Sequence, residues 1–173
     1  FMQRKVPFSW LELKDHMMVE AERQGGLKRT TRAQVLEWAI GSGFGIAGNT
    51  LIKEQVDGFL QLMHAYGLVV WYNEPKLRSV VILDPQWLVD AITIVVRDFE
   101  LHQMPLIDND VMRKFPMLWK RYLASGYLAH EMLQLLWHEY DALERAFLTH
   151  MMIKFSLLVP MRPEKGSSGV AQY

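Results

Sequence analysis

Hydrophobic side chains recur every three or four residues through the N-terminal third of the chain, which is the spacing of amphipathic helices. The first run predicts a helix from Trp10 to about Arg23. Ser9 stands where a cap belongs, and Glu12 stands at the third position of a capping box. Gly25-Gly26 is expected to end the helix, because glycine adopts the left-handed conformation without strain.

Two more helices follow at the same spacing. One starts after Thr30 or Thr31 and runs to the glycine-rich stretch Gly41–Gly48. Asn49 or Thr50 caps the other, because short polar side chains accept hydrogen bonds from the first free amides of a helix. The apolar positions of this helix predict one buried face, made of Leu51, Ile52, Val56, Phe59, Leu60 and Met63.

The pattern changes from helix to strand after Gly67. Leu68–Tyr72 and Val80–Leu83 are β-branched and aromatic, and Asn73–Lys76 supplies a turn between them, so a β-hairpin is predicted. Both faces of this hairpin are apolar, whereas a sheet with one wet face shows polar residues at alternate positions. Either the domain's own helices cover both faces, or one face binds a partner through the candidate residues Val81, Ile82, Trp71 and Tyr72.

A nearly all-apolar helix is predicted next. Asp84 caps it, and Pro85 takes the first position, where a missing N–H is harmless. Through Val96 its polar residues form one narrow stripe, so the rest of its circumference is expected to be buried, with Trp87 as the anchor. The predicted structural core contains Trp10, Phe59, Leu60, Pro85, Trp87, Leu88, Trp137 and Phe155.

The remaining residues predict a connection followed by a second helical unit. Residues 99–125 are expected to form a loop with a short helix that starts at Asp110 and is interrupted at Pro116. The earlier pattern returns at Gly126, and the expected elements are helix Ala129–Trp137, helix Leu143–Lys154 and strand Ser156–Val159.

Two segments of the chain are similar to each other. Phe59–Met63 aligns with Phe147–Met151, which places both helix ends and the strands after them in register. We therefore predict a helix-rich α+β fold of two winged-helix-like units, each with helices and a small antiparallel hairpin, sharing one core. The predicted units are residues 1–98 and 126–173, the second one truncated at its C-terminus, with residues 99–125 connecting them.

Composition and charge narrow the range of possible functions. The 173 residues include 19 basic and 19 acidic side chains, and this balance attracts the chain neither to nucleic acid nor to an acidic membrane. The absence of cysteine excludes disulfides and thiolate metal sites and is compatible with the reducing cytoplasm. No apolar run has the length of a membrane-spanning helix, so no membrane insertion is expected.

Two motifs suggest chemistry, and the context of each argues against it. Gly43–Gly48 has the glycine spacing of a dinucleotide site, but a predicted helix precedes it where that site requires a strand. His130 and His138 are each followed by glutamate, but neither has a second histidine four residues later. No catalytic residue, metal site or cofactor is predicted, and we expect a non-enzymatic interaction domain.

Nucleic-acid binding is the alternative function, because winged helices often bind DNA. The predicted recognition helix carries Lys53 beside Glu54 and Asp57, whereas a helix that reads a DNA groove is normally basic. This charge pattern disfavours nucleic acid, and a contiguous basic face in the folded domain would favour it.

Several segments follow one another in an order typical of a known family. The most specific is Val81–Val89, which contains the pattern hydrophobic-x-Pro-x-Trp-Leu from Leu83 to Leu88. The others are Val6–Leu11, Phe59–Val70, Gly126–Leu128, Leu136-Trp137 and Met152–Pro160. Together they resemble the N-terminal half of the COR domain (C-terminal of Roc) of Roco-family proteins.

This resemblance implies a setting and partners. In Roco proteins the half-domain follows a Ras-like GTPase domain called Roc, often behind leucine-rich repeats, and leads into a second COR half involved in dimerisation. Some members carry a kinase domain beyond it. The implied role is a cytoplasmic scaffold that packs on Roc and relays its nucleotide state, with a homodimer of the full-length protein as an implied assembly. The resemblance also implies a contact, because in the leucine-rich-repeat kinases aromatic residues in the strand before the Pro-x-Trp-Leu motif face the GTPase. The matching positions here are Val81 and Ile82, which are aliphatic.

The isolated chain is predicted to bind neither GTP nor zinc, because it lacks a phosphate-binding lysine motif and a third metal ligand near the two histidines. Isothermal titration of each ligand into the chain is expected to show no heat of binding. Stoichiometric binding of either ligand at micromolar concentration would contradict the non-enzymatic interpretation.

Overall fold

The computed structural model describes residues 7–42, 50–99, 101–102 and 105–161. These residues form a helix-rich α+β fold that divides into two compact units, Phe1–Leu88 (unit 1) and Val89–Tyr173 (unit 2). In chain order the elements are α1 Phe8–Arg23, β1 Arg29–Thr31, α2 Arg32–Gly41, α3 Thr50–Ala65, β2 Val80–Ile82, α4 Pro85–Thr93, α5 Pro105–Lys114, α6 Pro116–Ser125, α7 His130–Leu136 and α8 Ala142–Lys154.

Helix α1 starts earlier than the sequence pattern indicates and ends where it indicates. Pro7 is the N-cap and no side chain caps the helix, so the prediction that Ser9 is the cap was wrong. Gly25 has φ +84° and donates to the Glu22 carbonyl at 3.0 Å, while the Gly26 amide reaches the Ala21 carbonyl at 3.0 Å. This glycine-based C-terminal cap confirms the predicted end.

Helix α2 confirms one of the two proposed caps. The Thr31 hydroxyl accepts a hydrogen bond from the Gln34 amide at 3.1 Å, so the helix begins at Arg32. Helix α3 is also present as predicted, from Thr50 to Ala65. The proposed cap Asn49 and the glycine motif Gly43–Gly48 lie outside the described residues.

The predicted hairpin is confirmed only as a single antiparallel bridge, between Val70 and Ile82, and the main partner of β2 is a different strand. Strand β2 pairs antiparallel with β1, placing Thr30 opposite Val81, and the sequence analysis had assigned no strand there. From the expected first strand, Leu68–Tyr72, Val70 alone bridges β2, through two hydrogen bonds with Ile82 at 2.9 and 3.0 Å. The start of that segment is held by α3 instead, since the Leu68 amide donates to the Met63 carbonyl at 2.9 Å.

One hydrophobic cluster fills unit 1 between these elements. Leu13 and Met17 project into it from α1, and Phe59 and Leu60 project from α3, all without solvent exposure. The ring of Trp10 meets the ring of Phe59 edge-on at 6.0 Å between centroids. The strand contributes Val81, also fully buried, so helices and sheet share this core.

Helix α4 is shorter and less buried than predicted. The Asp84 carboxylate accepts from the Gln86 amide at 2.9 Å, which confirms the predicted cap. The helix ends at Thr93, and the next three residues, as far as Val96, form turns and a bend instead of continuing it. Val89 is 54% exposed, so the expectation that everything outside the polar stripe is buried was wrong.

Residues 105–125 are two helices, which corrects the prediction of a loop with a short helix. Pro105 and Pro116 each take the first position of a helix, where proline fits without losing a backbone hydrogen bond. The interruption expected at Pro116 is real, but the chain resumes as α6 after Phe115. Gly126 ends α6 with φ +70° and donates to the Tyr122 carbonyl at 2.8 Å.

A polar and aromatic cluster anchors these helices within unit 2. Arg97 is almost fully buried and forms an ion pair with Asp108 of α5. The Tyr122 hydroxyl donates to the Val95 carbonyl, and burial raises the pKa of Tyr122 to about 12. Phe99 packs edge-on against Tyr122 at 5.3 Å, and against Trp119 at 5.2 Å.

Helix α8 ends much as α3 does. Ser156 takes the left-handed conformation with φ 58°, and the Leu157 amide donates to the Met152 carbonyl at 2.8 Å, as Leu68 does to Met63. Counted from Phe59 and Phe147, this cap comes one residue later in α8, so the register of the internal repeat slips there. The predicted strand Ser156–Val159 is not formed in the described residues.

Replacing Trp137 with alanine is expected to destabilise unit 2 by about 3–5 kcal/mol, because it leaves a cavity and orphans the Ala91 carbonyl. Trp137 is fully buried, and its indole N–H donates to Ala91 at 2.8 Å. Trp87 is only half-buried, so Trp87→Ala should cost about 1–2 kcal/mol. Urea unfolding followed by circular dichroism measures the free energy of unfolding of both variants. Equal losses would contradict the difference in burial between Trp137 and Trp87.

Candidate interaction surface

The four proposed partner contacts occupy different environments in unit 1. Val81 and Ile82 have no solvent exposure, and Trp71 has 2%. Tyr72 is half-buried. Three of the four side chains therefore belong to the interior of unit 1 and present no surface to a partner, which corrects the expectation for Val81, Ile82 and Trp71.

Trp71 shows why the unit covers both faces of this region. Its indole N–H donates to the Arg78 carbonyl at 2.9 Å, across the turn that leads to β2. That turn is tightened by the Leu77 and Arg78 amides, which donate to the Glu74 carbonyl at 2.9 and 2.8 Å. Trp71 and Leu77 are consequently buried beside the strand. Other residues of unit 1 therefore cover the apolar side chains on both faces of the strand.

A surface beside the strand remains exposed. We define the aromatic rim as His64, Tyr66, Leu68 and Tyr72. The rings of His64 and Tyr72 meet at 4.9 Å between centroids, and His64 Nδ1 lies 3.3 Å from the Val69 carbonyl. Tyr66 is 59% exposed and Leu68 is 39% exposed, so apolar side chains on both sides of Gly67 are accessible.

The end of helix α3 sets the geometry of this rim. Gly67 has φ +70°, and its amide donates to the His64 carbonyl at 2.9 Å. Together with the bond from Leu68 to Met63, this is a Schellman motif, which turns the chain sharply out of the helix. Tyr66 and Leu68 flank the turn, and both side chains are exposed.

A second feature lies where β1 begins and β2 ends. The Lys28 carbonyl accepts from the amides of Leu83 and Asp84 at 2.9 Å each, which ties the start of α4 to β1. The Arg29 guanidinium stacks over the half-buried ring of Trp87 at 5.5 Å. The sequence pattern did not predict β1, although Thr30 and Thr31 are adjacent β-branched residues, which favour strands.

An ion pair joins helices α2 and α3 on the same unit. Arg32 Nε lies 2.5 Å from Asp57 Oδ1, and the same guanidinium donates to the Lys53 carbonyl at 3.2 Å. Both partners are only partly exposed. Asp57, an acidic residue of the proposed recognition helix, therefore has a structural role within unit 1.

The remaining core candidates are distributed between interior and surface. Phe59, Leu60 and Trp137 are fully buried, and Leu88 is 8% exposed. Trp10 and Trp87 are half-buried. Pro85 and Phe155 were misplaced: Pro85 is exposed because it lies at the first position of α4, and Phe155 is 48% exposed because it follows the last turn of α8.

The described residues show no arrangement that suggests a catalytic or metal site. They contain no cluster of three or more histidine, cysteine, aspartate or glutamate side chains that could hold a metal. His130 lies 2.9 Å from Gln134 within α7, and His138, in the turn after α7, lies 3.2 Å from the Leu135 carbonyl. Among these residues, none of the helices has the length and apolarity needed to cross a bilayer.

Residues 7–173 match the family described as C-terminal of Roc, COR-A domain. The chain belongs to the COR-A family. The family resemblance drawn from the segment around Pro85 and Trp87 is thereby confirmed.

The chain spans only a small part of one relative and less than half of another. The probable serine/threonine-protein kinase roco11 of Dictyostelium discoideum is 39% identical over 46 residues, which make up 27% of this chain and 3% of that protein. The structure of Methanosarcina barkeri Roco2 RocCORdC bound to GDP matches with a TM-score of 0.63 at 14% identity. The match covers 99% of this chain and 44% of the solved chain, and it shows a shared fold.

Replacing Gly67 with alanine is predicted to destabilise unit 1 by about 1 kcal/mol, because a side chain is strained in the left-handed conformation. Gly41 is the matched control, since it lies in α2 without positive φ and with open space around its Cα. Gly41→Ala should leave stability unchanged or raise it slightly. Chemical denaturation distinguishes the two, and a neutral Gly67→Ala would contradict the cap.

Proposed function

We propose that this COR-A domain is a non-catalytic module that packs against a Ras-like Roc GTPase domain through the aromatic rim of unit 1. The observation that carries the proposal is the exposure of the rim next to a fully buried strand. Leu68 is 39% exposed and Tyr72 is half-buried, and both lie in a segment that is anchored by Trp71 and the Val70 bridge. A rigid, exposed aromatic patch is the usual centre of a protein interface.

The shared fold supports this partner. The solved relative contains Roc and COR segments in one chain and is bound to GDP. A COR-A domain in such a chain lies close to a nucleotide-binding domain in sequence. We infer that this domain senses the nucleotide state of Roc and relays it to a second COR half, to a dimer partner or, in kinase-containing members, to a kinase.

The order of elements supports a winged-helix-like description of unit 1. A helix, a short strand, two helices, the Val70 bridge and β2 follow one another, and the strands lie in the order β1, β2 and bridge. Winged helices are common protein-interaction modules as well as DNA binders. We favour protein binding here, because α3 carries acidic as well as basic side chains, whereas a helix that binds in a DNA groove is normally basic.

The test measures association of the chain with a Roc GTPase domain from the same protein. Leu68→Asp and Tyr72→Asp place a charge in the aromatic rim, and each should weaken association by about tenfold or more. Val159→Asp, at a position that is 69% exposed on unit 2, is the control and should bind as wild type does. Val81 and Ile82 are unsuitable positions, because a buried charge would unfold the unit.

Circular dichroism must show that both rim variants are folded. Titration calorimetry with Roc loaded with GDP or with a GTP analogue then compares affinities. A different affinity for the two nucleotide states is expected if the domain relays that state. Full-strength binding by both folded rim variants would rule out the rim as the Roc contact.

A further inference from the structure

The overall charge balance of the chain conceals a local separation of charge in unit 2. Residues 111–130 contain four basic side chains, Arg113, Lys114, Lys120 and Arg121, and no acidic one. Arg113 is paired with Asp110 at 2.9 Å. No ion pair of Lys114, Lys120 or Arg121 occurs among the residues that the structure describes, so their charge is available to a partner.

Helical spacing places two of these cations, Lys120 and Arg121, on one side of α6, and Lys114 is the last residue of α5. Trp119 and Tyr122 pack into unit 2 and fix the orientation of the helix. Met117, Lys120 and Arg121 then share the opposite, exposed face, at positions i, i+3 and i+4. The Arg121 guanidinium lies 3.5 Å from the centre of the Tyr127 ring, which holds the charge at the surface. We call Met117, Lys120 and Arg121, together with Lys114, the basic face.

Large apolar side chains are exposed on the same two helices, α5 and α6. Met117 is 75% exposed, and Leu106 of α5 is 85% exposed. Met112 and Leu123 are also accessible, at 47% and 51%. Exposed apolar side chains interleaved with lysine and arginine are typical of surfaces that bind membrane interfaces, where methylene groups enter the headgroup layer and cations meet lipid phosphates.

We propose that the basic face of α6 is a peripheral docking site for an anionic lipid bilayer. The contact is electrostatic with shallow insertion of Met117, and no helix crosses the membrane. Three unpaired cations give weak, reversible binding, because each contributes modestly to attraction by an anionic surface. Such a contact suits a domain that is attached to other domains, which add their own binding energy.

Other anionic partners use only part of this surface. Nucleic acid is held through its phosphates by cations alone, so the exposed methionine would contribute nothing to that contact. An acidic polypeptide in solution meets the cations but provides no apolar layer for Met117 to enter. A bilayer with acidic headgroups matches both kinds of side chain, and it needs no groove on the protein.

The experiment is cosedimentation of the chain with vesicles of phosphatidylcholine alone, or of phosphatidylcholine mixed with phosphatidylserine. Binding to the mixed vesicles only, and its loss at high salt, is expected. Lys120→Gln/Arg121→Gln should weaken that binding roughly 30-fold. Lys76→Gln/Arg78→Gln removes the same charge from exposed positions of unit 1 and is the matched control.

Two further variants keep the proposal testable if loss of the Arg121–Tyr127 stack disturbs folding. Lys114→Gln/Lys120→Gln leaves that stack in place and should weaken binding as well. Met117→Ser should reduce binding to the mixed vesicles without changing the melting temperature.

Three results would overturn the proposal. The first is no binding of the wild-type chain to mixed vesicles. The second is binding that both lysine variants retain in full. The third is binding of polyglutamate or duplex DNA in the absence of vesicle binding, which would assign the basic face to a polyanion. The Roc-binding experiment is independent of all three, since it uses variants of unit 1.

Discussion

Strand β2 is the element on which unit 1 depends. It is only three residues long, yet Arg29–Thr31 pairs with it along one edge and Val70 bridges it on the other. All three of its side chains are buried. A strand of this length has little stability alone, so the packing of helices around it must hold it in place. Its two ends are tied in turn, by Trp71 bonding across the preceding turn and by Lys28 accepting from the residues that lead into α4.

Because the side chains of β2 are buried, they cannot form the binding surface. The most apolar residues of the segment stabilise the fold, and the exposed positions beside them carry the proposed contact. In unit 1 these are aromatic side chains around the end of α3, and in unit 2 they are cations and a methionine on α6. The first set fits a folded protein partner, and the second fits an anionic surface.

Helix ends account for much of the agreement between sequence and structure. Gly25 ends α1, Thr31 caps α2, Gly67 ends α3 and Asp84 caps α4, all at predicted positions. Each signal depends on one residue and its immediate neighbours, so the chain encodes it locally. The exception is instructive, since Ser9 had the right spacing for a capping box but the helix already begins at Phe8.

By itself the sequence determined the helices of unit 1, the apolar character of the strand region and the family, because local propensity and ordered motifs need no knowledge of distant contacts. Only the tertiary structure decided which strand pairs with β2, because that choice depends on residues some fifty positions apart in the chain. It also decided that Val81 and Ile82 are interior while Tyr72 stays accessible, since an apolar pattern cannot tell a covered face from a binding face. The basic face of α6 was likewise hidden, because a balanced net charge says nothing about where the charges gather when the chain folds.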